Sequence, residues 1–107
     1  MKKYNMSIHV PVSHAEKIRA VLATSGAGKM GNYDACSFSI RGVGRFRPLK
    51  GANPAIGEIN QLAEVEEERI ETIVTEDILD SVIHMVREAH PYEQPAIDVT
   101  ELKDYEV

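Results

Sequence analysis

The sequence predicts an α+β protein with a ferredoxin-like sandwich fold, βαββαβ, in which an antiparallel four-stranded sheet carries two helices on one face. Two segments have apolar residues at helical spacing and four short segments alternate apolar with polar residues. Their order along the chain is strand, helix, strand, strand, helix, strand, which is typical of this fold. At 107 residues we expect a single domain with one core over residues 1–107.

The first half of the chain begins with a strand and a helix. Apolar and polar residues alternate over 4–10, the period-2 pattern of a strand that buries one face. Ser13 is followed three residues later by Glu16, which is the spacing of a capping box and predicts a helix over 13–24. Gly26 is placed to end this helix in the left-handed conformation.

Two strands separated by a loop follow. The alternation over 36–41 predicts the second strand, which continues through Gly42 and Gly44 with a bulge or bend at the glycines. Residues 48–57 are rich in glycine and proline and predict an irregular loop. Alternation returns over 64–74 and predicts the third strand.

The second half ends with a helix and a strand. Thr75 is the expected N-cap, because carboxylates follow it in the first turn, where the helix dipole favours them. The helix is expected to end near Ala89, since Pro91 disfavours the α conformation at His90. A short last strand is predicted at 97–99.

The alternation also predicts which side chains face the helices. The expected helix-facing set is Tyr4, Met6, Ile8, Cys36, Phe38, Ile40, Ile70, Val74, Ile97 and Val99. The expected opposite set is Asn5, Ser7, His9, Ser37, Ser39, Arg41, Arg69, Glu71, Asp98 and Thr100. This polar face is compatible with a monomer that leaves one sheet face wet, and equally with an assembly whose sheets enclose a polar interior.

Composition excludes several classes of function. Twelve basic and seventeen acidic residues give a net charge of −5, which argues against a nucleic-acid partner. No segment approaches the ~20 apolar residues that span a bilayer, and the N-terminus lacks the apolar run of a secretory signal, so we expect a cytoplasmic protein without a membrane partner. The single cysteine, Cys36, excludes an internal disulfide and a cysteine-clustered zinc site. We expect it to be a buried, inert thiol.

Two charged segments lie close together in the middle of the chain. Basic residues among glycines at 41–50 could combine guanidinium groups with exposed backbone N–H groups around an anion. The alternative is a twisted strand whose arginines pair with nearby glutamates at the surface. The glutamate-rich run at 64–68 predicts a solvated surface.

Two further segments resemble functional motifs. Gly26, Gly28 and Gly31 have the G-x-G-x-x-G spacing, but a predicted helix precedes them and a strand follows, so we expect a helix-terminating turn and no dinucleotide site. Lys29 is followed by methionine, which also departs from the P-loop pattern. His90 belongs to the segment HPYEQP, where a metal site would need further converging ligands, and we expect a rigid helix-ending turn.

Three blocks in this order resemble the insertion domain of the NIF-three-like family (NGG-one-interacting-factor-three). They are GAGKMGNY at 26–33, FRPLKGANP at 46–54 and HPYEQP at 90–95, and the resemblance extends over 4–102. It implies a fold like that of the trimeric PII and CutA proteins. It also implies that the residues carrying the pattern, among them Asn53, contribute loop architecture and subunit contacts.

The resemblance implies no catalytic residue, metal ligand or cofactor here, because the family's dinuclear metal site belongs to a flanking domain whose ligand motifs do not match this chain. We therefore expect a non-enzymatic PII/CutA-like module, standing alone as a homo-oligomer, a trimer by fold analogy, that binds a small ligand, such as an anion, or a protein partner. The alternative is a metal-binding protein or a metal-dependent hydrolase-type enzyme. The candidate ligand-binding residues are Gly28, Lys29, Gly31, Arg45, Arg47, Lys50, His90, Tyr92 and Glu93.

Overall fold

A computed structural model describes residues 1–103 and confirms the predicted fold. Four strands form one sheet in the order β2-β3-β1-β4, and every neighbouring pair is antiparallel. The strands are β1 (Lys3–Pro11), β2 (Phe38–Phe46), β3 (Ala63–Thr75) and β4 (Ile97–Leu102), and the helices are α1 (Val12–Ser25) and α2 (Leu79–Ala89). No helix in the described part of the chain is long and apolar enough to cross a membrane.

The core lies between the two helices and one face of β1, β3 and β4. Ile8 of β1 pairs with Ile70 of β3 on one side and with Ile97 of β4 on the other. Fully burying such a side chain contributes about 1.5–3 kcal/mol. The largest fully buried side chains are Met6, Ile8, Val10, Ile18, Ile70, Val74, Val82 and Val86.

The predicted faces are correct for β1, β3 and β4 but wrong for β2. In an antiparallel pair, residues directly opposite each other project to the same face. Ser39 lies opposite Ile70, on the helix side, whereas Phe38 lies opposite Glu71 and Ile40 opposite Arg69. Phe38 and Ile40 therefore project from the sheet face that carries no helix, called the open face below. Cys36, also predicted to face the helices, precedes β2 and is partly buried.

The helix side of β2 is polar because a long side chain from α1 covers it. Arg19 Nη1 donates to Glu68 Oε1 at 2.6 Å and to Ser39 Oγ at 3.1 Å. Glu68 is 9% exposed and the neighbouring Glu67 is 8% exposed, so the predicted solvated surface over 64–68 is wrong for these two glutamates. Because the Arg19 side chain covers the helix side of β2, polar residues on that side of the strand find partners there.

The helix ends differ in part from the predictions. The capping box is wrong, because α1 begins directly after Pro11 without a side-chain cap and Ser13 contacts its neighbour His14. Gly26 ends α1 in the left-handed conformation as predicted, with φ +94°. Thr75 precedes a short 3₁₀ turn, Glu76–Ile78, that leads into α2, and α2 ends at Ala89 as predicted.

The segment after α1 docks against the edge of β3 through Gly28. Its N–H donates to the Ile73 carbonyl at 2.7 Å, and its own carbonyl accepts from the Cys36 N–H at 3.0 Å. Gly28 has φ +76°, and a Cβ there would clash with the Cys36 backbone. Gly31 also has a positive φ, +55°, but a Cβ there would meet open space. Substitutions at these two glycines therefore distinguish the cost of backbone strain, present at both, from the cost of steric crowding, present only at Gly28.

We predict that Gly28→Ala destabilises the protein by about 3 kcal/mol or more, because left-handed strain adds to overpacking against backbone. Gly31→Ala is the matched control and should cost only the conformational strain, about 1–2 kcal/mol. Urea unfolding at equilibrium measures both values. Equal losses in the two variants would contradict the close packing at Gly28.

Candidate functional site

A cavity of about 730 Å³ opens between the end of β2, the following loop and the turn after α2. Its volume is within the range of roughly 300–1,000 Å³ that is typical of small-molecule sites. The loop side contributes Arg47, Leu49, Lys50 and Ile56, and the turn contributes Tyr92 and Glu93. The second and third motif blocks of the sequence therefore meet around one space.

A direct hydrogen bond joins these two blocks. The backbone N–H of Asn53 donates to Glu93 Oε2 at 2.7 Å across forty residues of sequence. The Phe46 ring meets the Tyr92 ring edge to face, with centroids 5.5 Å apart and an interplanar angle of 65°. Such aromatic pairs contribute about 0.5–1.5 kcal/mol beyond the area that they bury. The loop and the turn are thus held in a defined relative position.

Tyr92 is anchored at the cavity floor by a carboxylate. Its hydroxyl donates to Glu67 Oε2 at 3.0 Å. Burial, together with this hydrogen bond, raises the pKa of Tyr92 well above its usual value, so that the phenol stays protonated and remains a donor. The Glu67 carboxylate leans over Gly44, where any Cβ would overlap it. Glycine at position 44 is therefore what gives this carboxylate its space.

His90 fixes the turn by using both of its ring nitrogens. Nδ1 accepts the Tyr92 backbone N–H at 3.1 Å, and Nε2 lies 2.7 Å from the His9 carbonyl oxygen, to which it donates. This arrangement requires the neutral tautomer with its proton on Nε2. Burial lowers the pKa of His90, although the bond to the His9 carbonyl opposes that shift. Neither nitrogen keeps a lone pair that faces a ligand.

The basic residues of the cavity differ in their partners. Arg45 Nη2 lies 3.5 Å from Glu64 Oε1, so pairing with a nearby glutamate, one of the two predicted interpretations, is confirmed for Arg45. Arg47 and Lys50 line the same cavity, and no carboxylate of residues 1–103 is within ion-pair distance of either. Within the described residues, the cavity lining thus includes two cations without a carboxylate partner.

The first motif block lies elsewhere. Gly28, Lys29 and Gly31 do not line the cavity, and the turn that contains them is closed by reciprocal backbone hydrogen bonds between Met30 and Tyr33, at 2.8 and 2.9 Å. A role for these three residues in binding stays a prediction. Among residues 1–103, no three His, Cys, Asp or Glu side chains are grouped to hold a metal ion.

Sequence reasoning missed Glu67 and His9 among the cavity residues. Glu67 was hidden within a glutamate run that resembles solvated surface. A signal was nevertheless present, because paired glycines inside a strand often mark the close approach of another group. Gly42 of β2 pairs with Glu67 of β3, and Gly44 makes room for the Glu67 carboxylate.

Comparison with solved structures defines the class of fold as PII/CutA-like. CutA from Archaeoglobus fulgidus aligns with a TM-score of 0.68 and 15% identity, over 97% of this chain and 87% of that chain. CutA from Xylella fastidiosa aligns with a TM-score of 0.70 and 16% identity, over 99% of this chain and 88% of that chain. At such identities the likeness concerns the fold alone.

The sequence relationship is more specific. A Bacillus cereus protein related to NIF3 aligns with a TM-score of 0.83 and 42% identity, over 96% of this chain and 26% of that chain. The GTP cyclohydrolase 1 type 2 homolog of Halalkalibacterium halodurans is 44% identical over 96 residues, which are 90% of this chain and 26% of that protein. The corresponding Bacillus subtilis protein is 42% identical over 94 residues, 88% of this chain and 25% of that protein.

The chain is therefore a homologue of one segment of the NIF3-related proteins, as the three motif blocks predicted. It spans about a quarter of the length of the curated relatives that it matches. Comparison with protein-family models finds no match.

We predict that His90 makes stability depend on pH. Because its folded pKa lies below the 6.5 of an unperturbed imidazole, the unfolded chain takes up a proton first as the pH falls. The stabilising contribution is thus complete above about pH 6.5 and is lost below it, with a slope of at most about 1.4 kcal/mol per pH unit. The free energy of unfolding of His90→Gln should be lower than that of the wild type at pH 8. It should also decrease less than that of the wild type between pH 8 and pH 5.

Urea unfolding of both proteins at several pH values tests this prediction. The other three histidines are common to the two proteins, so their contributions largely cancel in the difference. An identical pH dependence of the unfolding free energy in both proteins would contradict a neutral, doubly bonded His90.

Proposed function

We propose that this chain is a non-enzymatic, cytoplasmic PII/CutA-like binding module, forming a single domain, that holds a small ligand with an anionic group in the cavity beside β2. The observation that carries the proposal is the pair of cations, Arg47 and Lys50, which line the cavity without a carboxylate partner among the described residues. Charge-assisted hydrogen bonds from such groups to an anion are the strong ones in proteins.

The surroundings of these cations support a ligand site rather than a solvated surface. Phe46 and Tyr92 supply an aromatic wall, and Leu49 and Ile56 add apolar surface from the loop. Apolar walls with a few placed polar groups are the usual composition of small-molecule sites. Five of the predicted ligand-binding residues line this space, namely Arg45, Arg47, Lys50, Tyr92 and Glu93. His90, a sixth predicted residue, positions Tyr92 by accepting its backbone N–H.

We also propose that the chain forms a homo-oligomer, with a trimer as the expected state from the fold. The support on this chain is the open face of β2, where Phe38 is 63% and Ile40 42% exposed. Exposed apolar side chains next to each other on a strand are typical of protein interfaces. β2 is also an edge strand, whose outer backbone groups are available for pairing.

We do not extend a metal-dependent hydrolase activity to this chain. The name GTP cyclohydrolase 1 type 2 homolog belongs to longer proteins, of which this chain matches about a quarter. The histidine of the third motif block, His90, already uses both ring nitrogens in hydrogen bonds to backbone.

We predict that small organic acids in a thermal-shift panel stabilise the protein and that Arg47→Ala/Lys50→Ala removes the effect. A ligand that binds only the folded state adds about 2.7 kcal/mol at roughly one hundred times its Kd. Loss of two charge-assisted contacts should weaken binding by at least about tenfold each. Lys17→Ala/Arg87→Ala removes the same charge outside the cavity and is the control.

The proposal of a ligand site is overturned if no acid stabilises the wild type. It is also overturned if the cavity variant and the control variant respond equally, because binding would then depend on overall charge.

We predict that the wild type has a solution mass near three times the 11.9 kDa of one chain, and that Phe38→Ser/Ile40→Thr shifts it to the monomer. The replaced side chains are exposed, so each chain should keep its fold. Leu62→Ser, which removes a 58% exposed leucine from a loop, is the control. Light scattering after size-exclusion chromatography measures the masses. A monomeric wild type would refute the assembly.

A further inference from the structure

The cavity presents charges of both signs, and this restricts what it can hold. Arg47 and Lys50 approach from the loop, whereas Glu67 and Glu93 approach from the sheet and the turn. A ligand that carries only negative charge would lie near two carboxylates, and one that carries only positive charge would lie near two cations. Like charges in a partly enclosed site repel more strongly than in bulk water. A ligand with both charges avoids both penalties.

Glu67 is the group that indicates a hydrogen-bond donor on the ligand. Its side chain belongs to a residue only 8% exposed, and Oε2 already accepts the Tyr92 hydroxyl. Within residues 1–103, no donor reaches Oε1. No fully buried side-chain oxygen or nitrogen in that range lacks a partner, so Oε1 must be accessible, and Glu67 lines the cavity.

Neighbouring residues hold this carboxylate in place. Tyr92 donates to one oxygen, and Gly44 leaves the room that the carboxylate occupies. By contrast, Glu93 is exposed, and its Oε2 accepts the Asn53 N–H that ties the turn to the loop. Within residues 1–103 neither acid has a donor at Oε1, and the two differ in burial, because Glu67 is buried whereas Glu93 is exposed to water. An accessible acceptor oxygen on a largely buried carboxylate favours a cationic or N–H donor partner.

The cavity wall between the acid and the cations is apolar. The Glu67 carboxylate lies against Gly44, and Arg47 follows Gly44 by three residues, a backbone span of at most about 10 Å. The rings of Phe46 and Tyr92 lie in contact with each other along this cavity wall. An apolar or aromatic body would contact these rings while its two ends reach Glu67 and the cations.

We infer that the cavity binds a zwitterion, with an ammonium or amine held by Glu67, an apolar body against Phe46 and Tyr92, and an acid group held by Arg47 and Lys50. The inference rests on the proposed function, because it names the ligand class of the same cavity. The acid group accounts for the unpaired cations, and the amine accounts for the free acceptor oxygen of the buried carboxylate.

The test is a matched series of probes measured by isothermal titration calorimetry on the full chain. The zwitterion 4-(aminomethyl)benzoate contains both charges, 4-methylbenzoate keeps only the acid, and 4-methylbenzylamine keeps only the amine. We expect the zwitterion to bind at least about tenfold more tightly than either half, since each half leaves one charged partner of the site unpaired. This comparison needs no variant protein.

The substitution Glu67→Gln then tests whether the Glu67 carboxylate is the group that binds the amine. It retains an oxygen that can accept the Tyr92 hydroxyl and should leave the fold intact, which its urea unfolding checks. We expect it to abolish the advantage of the zwitterion over 4-methylbenzoate without weakening 4-methylbenzoate itself. Glu88→Gln, an exposed carboxylate on α2, is the charge-matched control and should leave the series unchanged.

The outcomes separate the two proposals. If 4-methylbenzoate binds as tightly as the zwitterion, or if Glu67→Gln leaves the ratio of their two Kd values unchanged, the cavity recognises only the acid group. In that case only this inference fails. If the zwitterion does not bind, the inference fails as well. The acid panel with Arg47→Ala/Lys50→Ala then decides the proposed function independently.

Discussion

The candidate ligand site depends on the unequal lengths over which β3 pairs with its two neighbours, β1 and β2. β3 runs for thirteen residues and its pairing with β1 ends at Glu67 opposite Pro11, whereas its pairing with β2 continues to Ala63 opposite Phe46. Residues 63–66 and their β2 partners therefore extend beyond the three-stranded part of the sheet, and the molecule measures 49 Å along its long axis against 23 Å across. The cavity lies where this two-stranded extension meets the turn after α2.

An isolated two-stranded ribbon is marginally stable in water, so the extension needs support from elsewhere. Two charged residues near its base provide such support on opposite faces. On the helix side, Glu68 accepts from Arg19 of α1. On the open side, Glu67 accepts from Tyr92 of the turn. Removing one partner of a buried charge generally costs more than the pair contributes, because the remaining charge is left without compensation. Adjacent residues of one strand thus tie the ribbon to a helix on one face and to a loop on the other.

The sequence was sufficient for most of the fold because the central strands obey simple patterns. β1 alternates cleanly, since one face meets the helices and the other does not, and Gly26 and Pro91 mark helix ends by their backbone preferences. The same reasoning failed at β2. Its inner face meets the side chain of Arg19, so the apolar residues of this edge strand do not report the position of the core.

The candidate site was only partly visible in the sequence. The residue types of the second and third motif blocks indicated shaped loops and an anion-binding site. Nothing in their spacing, however, shows that the Asn53 N–H reaches the Glu93 carboxylate. That contact is tertiary and joins residues forty positions apart. The burial of Glu67 was indicated only by the paired glycines of β2, because a run of glutamates normally lies in solvent and the contact with Tyr92 is tertiary.

The long connection between β2 and β3 is tied down at intervals. Ala52 N–H donates to the Leu49 carbonyl at 2.9 Å, Asn53 is held by Glu93, and Asn60 N–H donates to the Pro48 carbonyl at 2.6 Å. Between the last two anchors lie residues 54–59, of which the Glu58 carbonyl accepts from the Gln61 N–H at 3.1 Å. Ala55 in this segment is exposed and lines the cavity, which makes it a natural place to attach a reporter group beside the ligand space.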